Sequence, residues 1–191
     1  MGAQPGSEMA DMAGMRIIGA AVATVLIAVA SAVPANADPP TFDAGAGLPT
    51  VGNFNDVTLN GTQQLASATV APFVIDGDPG LAGWQVTLTV ADFRNGTGAG
   101  CAVGATASIS GANVSMNAPV VTAAAGTTSM TGVTSAGFTD FTSPRTVIDA
   151  AAGAGAGTYD VAPENLRLII PADVLAGAYC SAATIAITSG P

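Results

Sequence analysis

The stretch Gly83-Trp84-Gln85-Val86-Thr87-Leu88-Thr89-Val90 alternates apolar and polar residues along its whole length. Trp84, Val86, Leu88 and Val90 fall on one face, and Gln85, Thr87 and Thr89 on the other. A period of two marks a half-buried β-strand. Beyond residue 37 no amphipathic helix longer than two turns is visible, so strands must supply the core. Val57-Thr58-Leu59 reads as a short strand before the turn signal Asn60-Gly61. Leu65 to Ile75 reads as one or two strands interrupted by Pro72, and Asp76-Gly77-Asp78-Pro79-Gly80 as a loop. Asn95-Gly96-Thr97-Gly98 turns the chain again, and weak strand candidates follow at Ala105–Ser110 and Val114–Met116. Leu166–Ile170 is a strand stopped by Pro171. After Tyr179, the residues Tyr179, Ala183, Ile185 and Ile187 share one face, and Cys180, Thr184 and Thr188 the other. Ala150 to Gly157 is rich in alanine, but Gly153, Gly155 and Gly157 each cost a helix about 1 kcal/mol, which makes it a loop. Short strands with turn residues every 8–12 positions or so point to an all-β, antiparallel β-sandwich of the immunoglobulin-like, Greek-key type.

The first 37 residues read as a targeting segment. Ile17 to Val33 is apolar apart from Thr24 and Ser31, Arg16 precedes it, and Ala35-Asn36-Ala37 supplies a small-x-small cleavage pattern. That is the layout of a helical secretory signal peptide, with an exported domain over 38–191. The competing reading is a membrane anchor, which needs roughly 20 apolar residues richer in large side chains than this run. Residues 1–14 carry Glu8 and Asp11 and no basic residue. A start at Met15 would place Arg16 where a signal peptide needs its positive charge, so 1–14 reads as an over-called start.

Export changes what the two cysteines mean. Outside the cytoplasm an isolated pair is expected to form a disulfide, here Cys101–Cys180; the alternative is two free or metal-binding thiols. The net charge is −9, with no lysine and no histidine. Such a chain neutralises few phosphates, which argues against nucleic acid as a partner and against attraction to an anionic membrane. No membrane span is expected after signal cleavage. Without histidine, a Ser-His-Asp or Cys-His arrangement is impossible. Paired carboxylates remain an option for glycoside hydrolysis, yet most acidic residues here sit in turns or beside glycine, proline or asparagine, where conformation favours them. The chain is expected not to be an enzyme and to need no cofactor or metal.

Two motifs resemble the WxL-type domain of Gram-positive cell-surface proteins. That family carries Trp-x-Leu on a strand and, near its C-terminus, Tyr-x-x-x-Leu-Thr-Trp-Thr-Leu followed by a proline. Here the first motif stands as Gly83-Trp84-Gln85-Val86, with valine in place of leucine. The second runs from Tyr179 to Pro191: Tyr179, Thr184 and Pro191 match, while Ile187 replaces a leucine, Ile185 the second tryptophan and Ala183 another leucine. The high alanine and glycine content without lysine suits a divergent, actinobacterial relative. The resemblance implies a non-catalytic module at the cell surface, with affinity for peptidoglycan and a place in multiprotein assemblies.

Trp84 then has two readings, a core anchor between sheets or a stacking platform for sugar rings. Tyr179 is the second candidate ligand-binding residue, and alternatively a plain buried tyrosine or a variant of the tyrosine corner. Asp76-Gly77-Asp78 is either a Ca²⁺-binding fragment or an exposed turn. Asn60, Asn95 and Asn113 begin glycosylation-type triplets that also suit turns and strands. The expected function is a secreted, extracellular or wall-associated module that contacts peptidoglycan or another envelope glycan. The alternative is a structural or interaction subunit that docks with exported proteins through a sheet edge.

Overall fold

Seventeen strands and no α-helix make up the described residues of the computed structural model, which are 16–17, 39–77, 82–96, 107–125 and 129–190. In chain order the strands are β1 (Arg16–Ile17), β2 (Thr41–Phe42), β3 (Val57–Thr58), β4 (Gln64–Val70), β5 (Phe73–Gly77), β6 (Trp84–Val90), β7 (Phe93–Asn95), β8 (Ser108–Ile109) and β9 (Val114–Met116). There follow β10 (Val121–Ala123), β11 (Val133–Ser135), β12 (Phe138–Thr139), β13 (Arg145–Ala150), β14 (Gly157–Val161), β15 (Glu164–Ile170), β16 (Tyr179–Cys180) and β17 (Ala183–Ser189). A single 3₁₀ turn, Gly111–Asn113, is capped by the Ser110 hydroxyl. All pairings are antiparallel, so the expected all-β antiparallel class holds. The expected signal helix lies outside the described residues except for Arg16–Ile17, which are extended and pair with β3.

The sheets have the orders β10-β14-β5-β2, β11-β13-β6-β17, β12-β9-β15-β4 and β16-β7-β8, besides the β1-β3 pair. Two of them are halves of one ladder. β4 pairs with β15 up to Val70↔Glu164, and β5 pairs with β14 from Phe73↔Val161 onward. Two residues intervene on each strand, so the register passes through unshifted. The same holds for β9 and β10, from Leu166↔Met116 to Val121↔Val161. At the break lie Pro72, Pro163 and Pro119, one on each of three neighbouring strands, and the continued register sets Pro119 opposite Pro163. Proline has no N–H to give a ladder. Three of them in a row interrupt the ladder bonds along one line and crease the sheet there. Ala162 N–H still reaches Val120 O at 3.0 Å across that line.

Two bulges adjust the other sheets. Between Thr146↔Thr87 and Ile148↔Val86, Val147 is extra on β13, so Val147 and Ile148 both turn inward. Between Val90↔Ala183 and Arg94↔Cys180, the β6–β7 strand carries one residue more than its partner. Ser181 Oγ sits opposite this extra residue and donates to Ala91 O at 2.5 Å. One expectation is corrected: Cys180 does not share the half-buried setting of Thr184 and Thr188, because both it and Tyr179 are buried.

Strand alternation delivers the core. β4 and β15 bury every second residue, and β6 buries Trp84, Val86, Leu88 and Val90. These join Phe73, Ile75, Tyr159, Val161, Ile185 and Ile187 in one hydrophobic cluster shared by the sheets. The packing leaves a small apolar cavity of about 20 Å³, lined among others by Val70, Phe73, Val86 and Leu88.

Candidate functional site

Trp84 is fully buried, at 0% exposure. Its ring meets Tyr159 edge-on, with centroids 5.5 Å apart. Its indole N–H donates to Gly155 O at 2.8 Å. Gly155 has φ of +82°, and a Cβ there would stand 2.5 Å from Trp84 Nε1. The alanine- and glycine-rich loop read from Ala150 to Gly157 therefore closes its backbone over the indole and accepts its only hydrogen bond. Burial of this kind corrects the stacking reading, because a sugar platform needs an exposed ring face and Trp84 has none.

Tyr179 is corrected in the same way. It is 4% exposed, and its hydroxyl donates to Leu175 O at 2.8 Å. Burial raises its pKa above the ordinary phenol value, while the Asn95 side chain acts in the opposite direction. Burial alone raises that of Tyr159, whose hydroxyl lies 3.2 Å from both Ser129 O and Ala156 O. Every aromatic residue of the sequence is among those described. Phe138 is half-buried and all the others are buried, so no fully exposed aromatic ring is available for stacking on sugar.

The remaining candidates resolve into structural roles or fall outside the described residues. Cys180 is buried and is not a free thiol; Cys101 lies outside the described residues, and so does the Cys101–Cys180 pairing. Asp78 lies outside them too, while Asp76 Oδ1 accepts from Thr158 Oγ1 at 3.2 Å. Among the described residues no group of three His, Cys, Asp or Glu side chains could hold a metal ion. Asn60 Oδ1 accepts from Thr62 N at 3.1 Å and from Gln64 Nε2 at 2.6 Å, an Asx turn that explains its triplet.

A surface feature with no signal in the sequence is a groove of about 470 Å³ on the outer face of β4 and β15, lined by Asn55, Leu65, Ala66, Ser67, Asn165 and Arg167. Segment 50–55 forms one wall by lying along the β4 edge: Asn55 N donates to Ser67 O at 2.9 Å, and Asn55 Oδ1 accepts from Ser67 N at 2.6 Å. Arg167 stands opposite Ser67 on β4 and Ser115 on β9. At the groove end Leu65 and Ile169 are cross-strand partners and remain 55% and 37% exposed.

Comparison with protein-family models, with curated proteins and with solved structures gives no match. The WxL likeness therefore stands on the residues around Trp84 and from Tyr179 to Pro191 alone.

Proposed function

We propose that this chain is a secreted, non-catalytic module of the cell surface, a divergent WxL-like β-sandwich that associates with peptidoglycan or another envelope glycan. The groove between Asn55 and Arg167 carries this reading. It combines amide and hydroxyl groups, a guanidinium and the exposed Leu65–Ile169 pair. Hydroxyls of a glycan suit the amides, its carboxylates suit Arg167, and the C–H face of a sugar suits the aliphatic pair. Contact of this kind runs through hydrogen bonds and one charge, without aromatic stacking. The test is co-sedimentation with purified cell wall. Arg167→Ala and Asn165→Ala should each lower the bound fraction several-fold at unchanged melting temperature, and the loss on Arg167→Ala alone should shrink at high salt. Binding that ignores both substitutions would overturn the assignment.

A further inference from the structure

Asparagine followed by glycine occurs twice in the chain, at Asn60-Gly61 and Asn95-Gly96. Such a pair carries a reaction of its own. The glycine nitrogen, unshielded by a side chain, can attack the carbonyl carbon of the preceding asparagine side chain through a five-membered ring. The fold decides whether the two groups are free to meet, and it treats the two pairs differently.

At Asn95-Gly96 the reacting groups are engaged elsewhere. Asn95 lies on β7 opposite Tyr179, and its backbone N donates to Ala107 O at 3.1 Å. Gly96 N donates to Ala178 O at 2.9 Å. The Asn95 side chain packs against Gly177, where a Cβ would stand 2.8 Å from its Nδ2. Both residues are half-buried.

Asn60-Gly61 is the reverse case. Both residues are exposed, in the turn between β3 and β4. Gly61 N–H donates to no group among the described residues, and a Cβ on Gly61 would find nothing within 4 Å. Asn60 Oδ1 accepts three hydrogen bonds, from Thr62 N at 3.1 Å, Thr62 Oγ1 at 2.7 Å and Gln64 Nε2 at 2.6 Å. The backbone donor fixes which atom of the amide is the oxygen. Closure of this Asx turn curls the Asn60 side chain back along its own main chain. The hydrogen-bonded ring contains Cγ, Cβ, Cα and C of Asn60 and N of Gly61, the five atoms that an imide would join. The three donors also draw electrons from Cγ. They receive the negative charge that develops on Oδ1 when Gly61 N adds, as the donors of an oxyanion hole do.

We infer that Asn60 is a self-modifying site that converts to aspartate and isoaspartate without an enzyme. Hydroxide from solvent takes the Gly61 N–H proton, and the nitrogen forms a bond to Asn60 Cγ as the carbonyl electrons move onto Oδ1. Those electrons return, the Cγ–Nδ2 bond breaks, and ammonia leaves with a proton from water, which regenerates hydroxide. Water then opens the succinimide. Opening at the side-chain carbonyl leaves aspartate, and opening at the main-chain carbonyl leaves isoaspartate. Either product adds a negative charge to a chain already at −9. Aspartate keeps the acceptor that Thr62 and Gln64 bond, whereas isoaspartate lengthens the main chain and breaks the ring of the turn.

The second Asn-Gly pair is the internal control. The full chain is held in mildly alkaline buffer, and peptide mass spectrometry follows the mass gained when an amide NH₂ becomes a hydroxyl. In the folded chain Asn60 should convert several-fold faster than Asn95. In urea, which removes both settings, the two rates should converge, with Asn60 slower and Asn95 faster than when folded. Gln64→Met and Thr62→Val each remove one donor to Oδ1, and should slow conversion at Asn60 several-fold at unchanged melting temperature. Conversion at Asn60 no faster than at Asn95 in the folded chain, or faster at Asn60 once unfolded, would overturn the assignment. So would a rate at Asn60 indifferent to both substitutions.

Discussion

At the scale of single residues, Trp84 shows how one side chain is bound to a distant loop. Trp84→Phe keeps most of the buried area but leaves Gly155 O without its donor, and should cost about 1–3 kcal/mol in denaturant unfolding. Trp84→Ala also empties the space against Tyr159 and should cost about 3–5 kcal/mol. Trp84 fluorescence should report a buried indole and stay unchanged when wall glycan is added. Asp140 gives the clearest pH dependence. It sits at φ +73°, and its carboxylate accepts from Thr142 N at 3.0 Å and Thr142 Oγ1 at 2.6 Å, with Arg145 3.4 Å away. The bonds from Thr142, followed by the charge of Arg145, hold its pKa below the usual carboxylate value. The folded pKa is lowered, so the contribution is present above the unfolded value and lost as pH falls through the folded one. Asp140→Asn should flatten the acid limb of the stability curve. The two tyrosines act at the other end. Their pKa values are raised, so their contribution is complete below the unfolded phenol value and disappears as pH climbs past it.

At the scale of elements, the cover on β4 can be lifted separately. Asn55→Ala removes the acceptor of Ser67 N and Oγ, and should cost about 1 kcal/mol and speed hydrogen exchange at Ser67 N. The elements readable from sequence are those with clean alternation: Trp84–Val90 emerges as β6 with the expected inward set, and Leu65–Ile75 as β4 and β5 divided at Pro72. β13 is hidden because its bulge puts Val147 and Ile148 side by side in the core and erases the period of two. Cys180 is buried, although the alternation after Tyr179 groups it with the half-buried Thr184 and Thr188. The groove is illegible for another reason. Asn55 and Arg167 lie far apart in the chain, and only the strand pairing of β4 with β15, together with the path of segment 50–55, brings them together.

At the scale of the whole molecule, the expected Cys101–Cys180 bridge would close a long loop and stabilise the chain by roughly 4–5 kcal/mol. Intact protein should then resist alkylation, take up two equivalents after reduction and melt at a lower temperature. Two reactive thiols in native protein would rule the bridge out. The proline crease has a consequence for how such a chain can change length. Val70 and Phe73 are separated by as many residues as Val161 and Glu164, and the ladder keeps step only while those counts agree. Losing Ala71 alone would turn every side chain on one side of the crease inside out. Losing Ala71 together with Ala162 would restore that pairing but shift β14 and β15 against β10 and β9, where four residues intervene on each strand. The ladder therefore keeps step only if all three creased strands change length together.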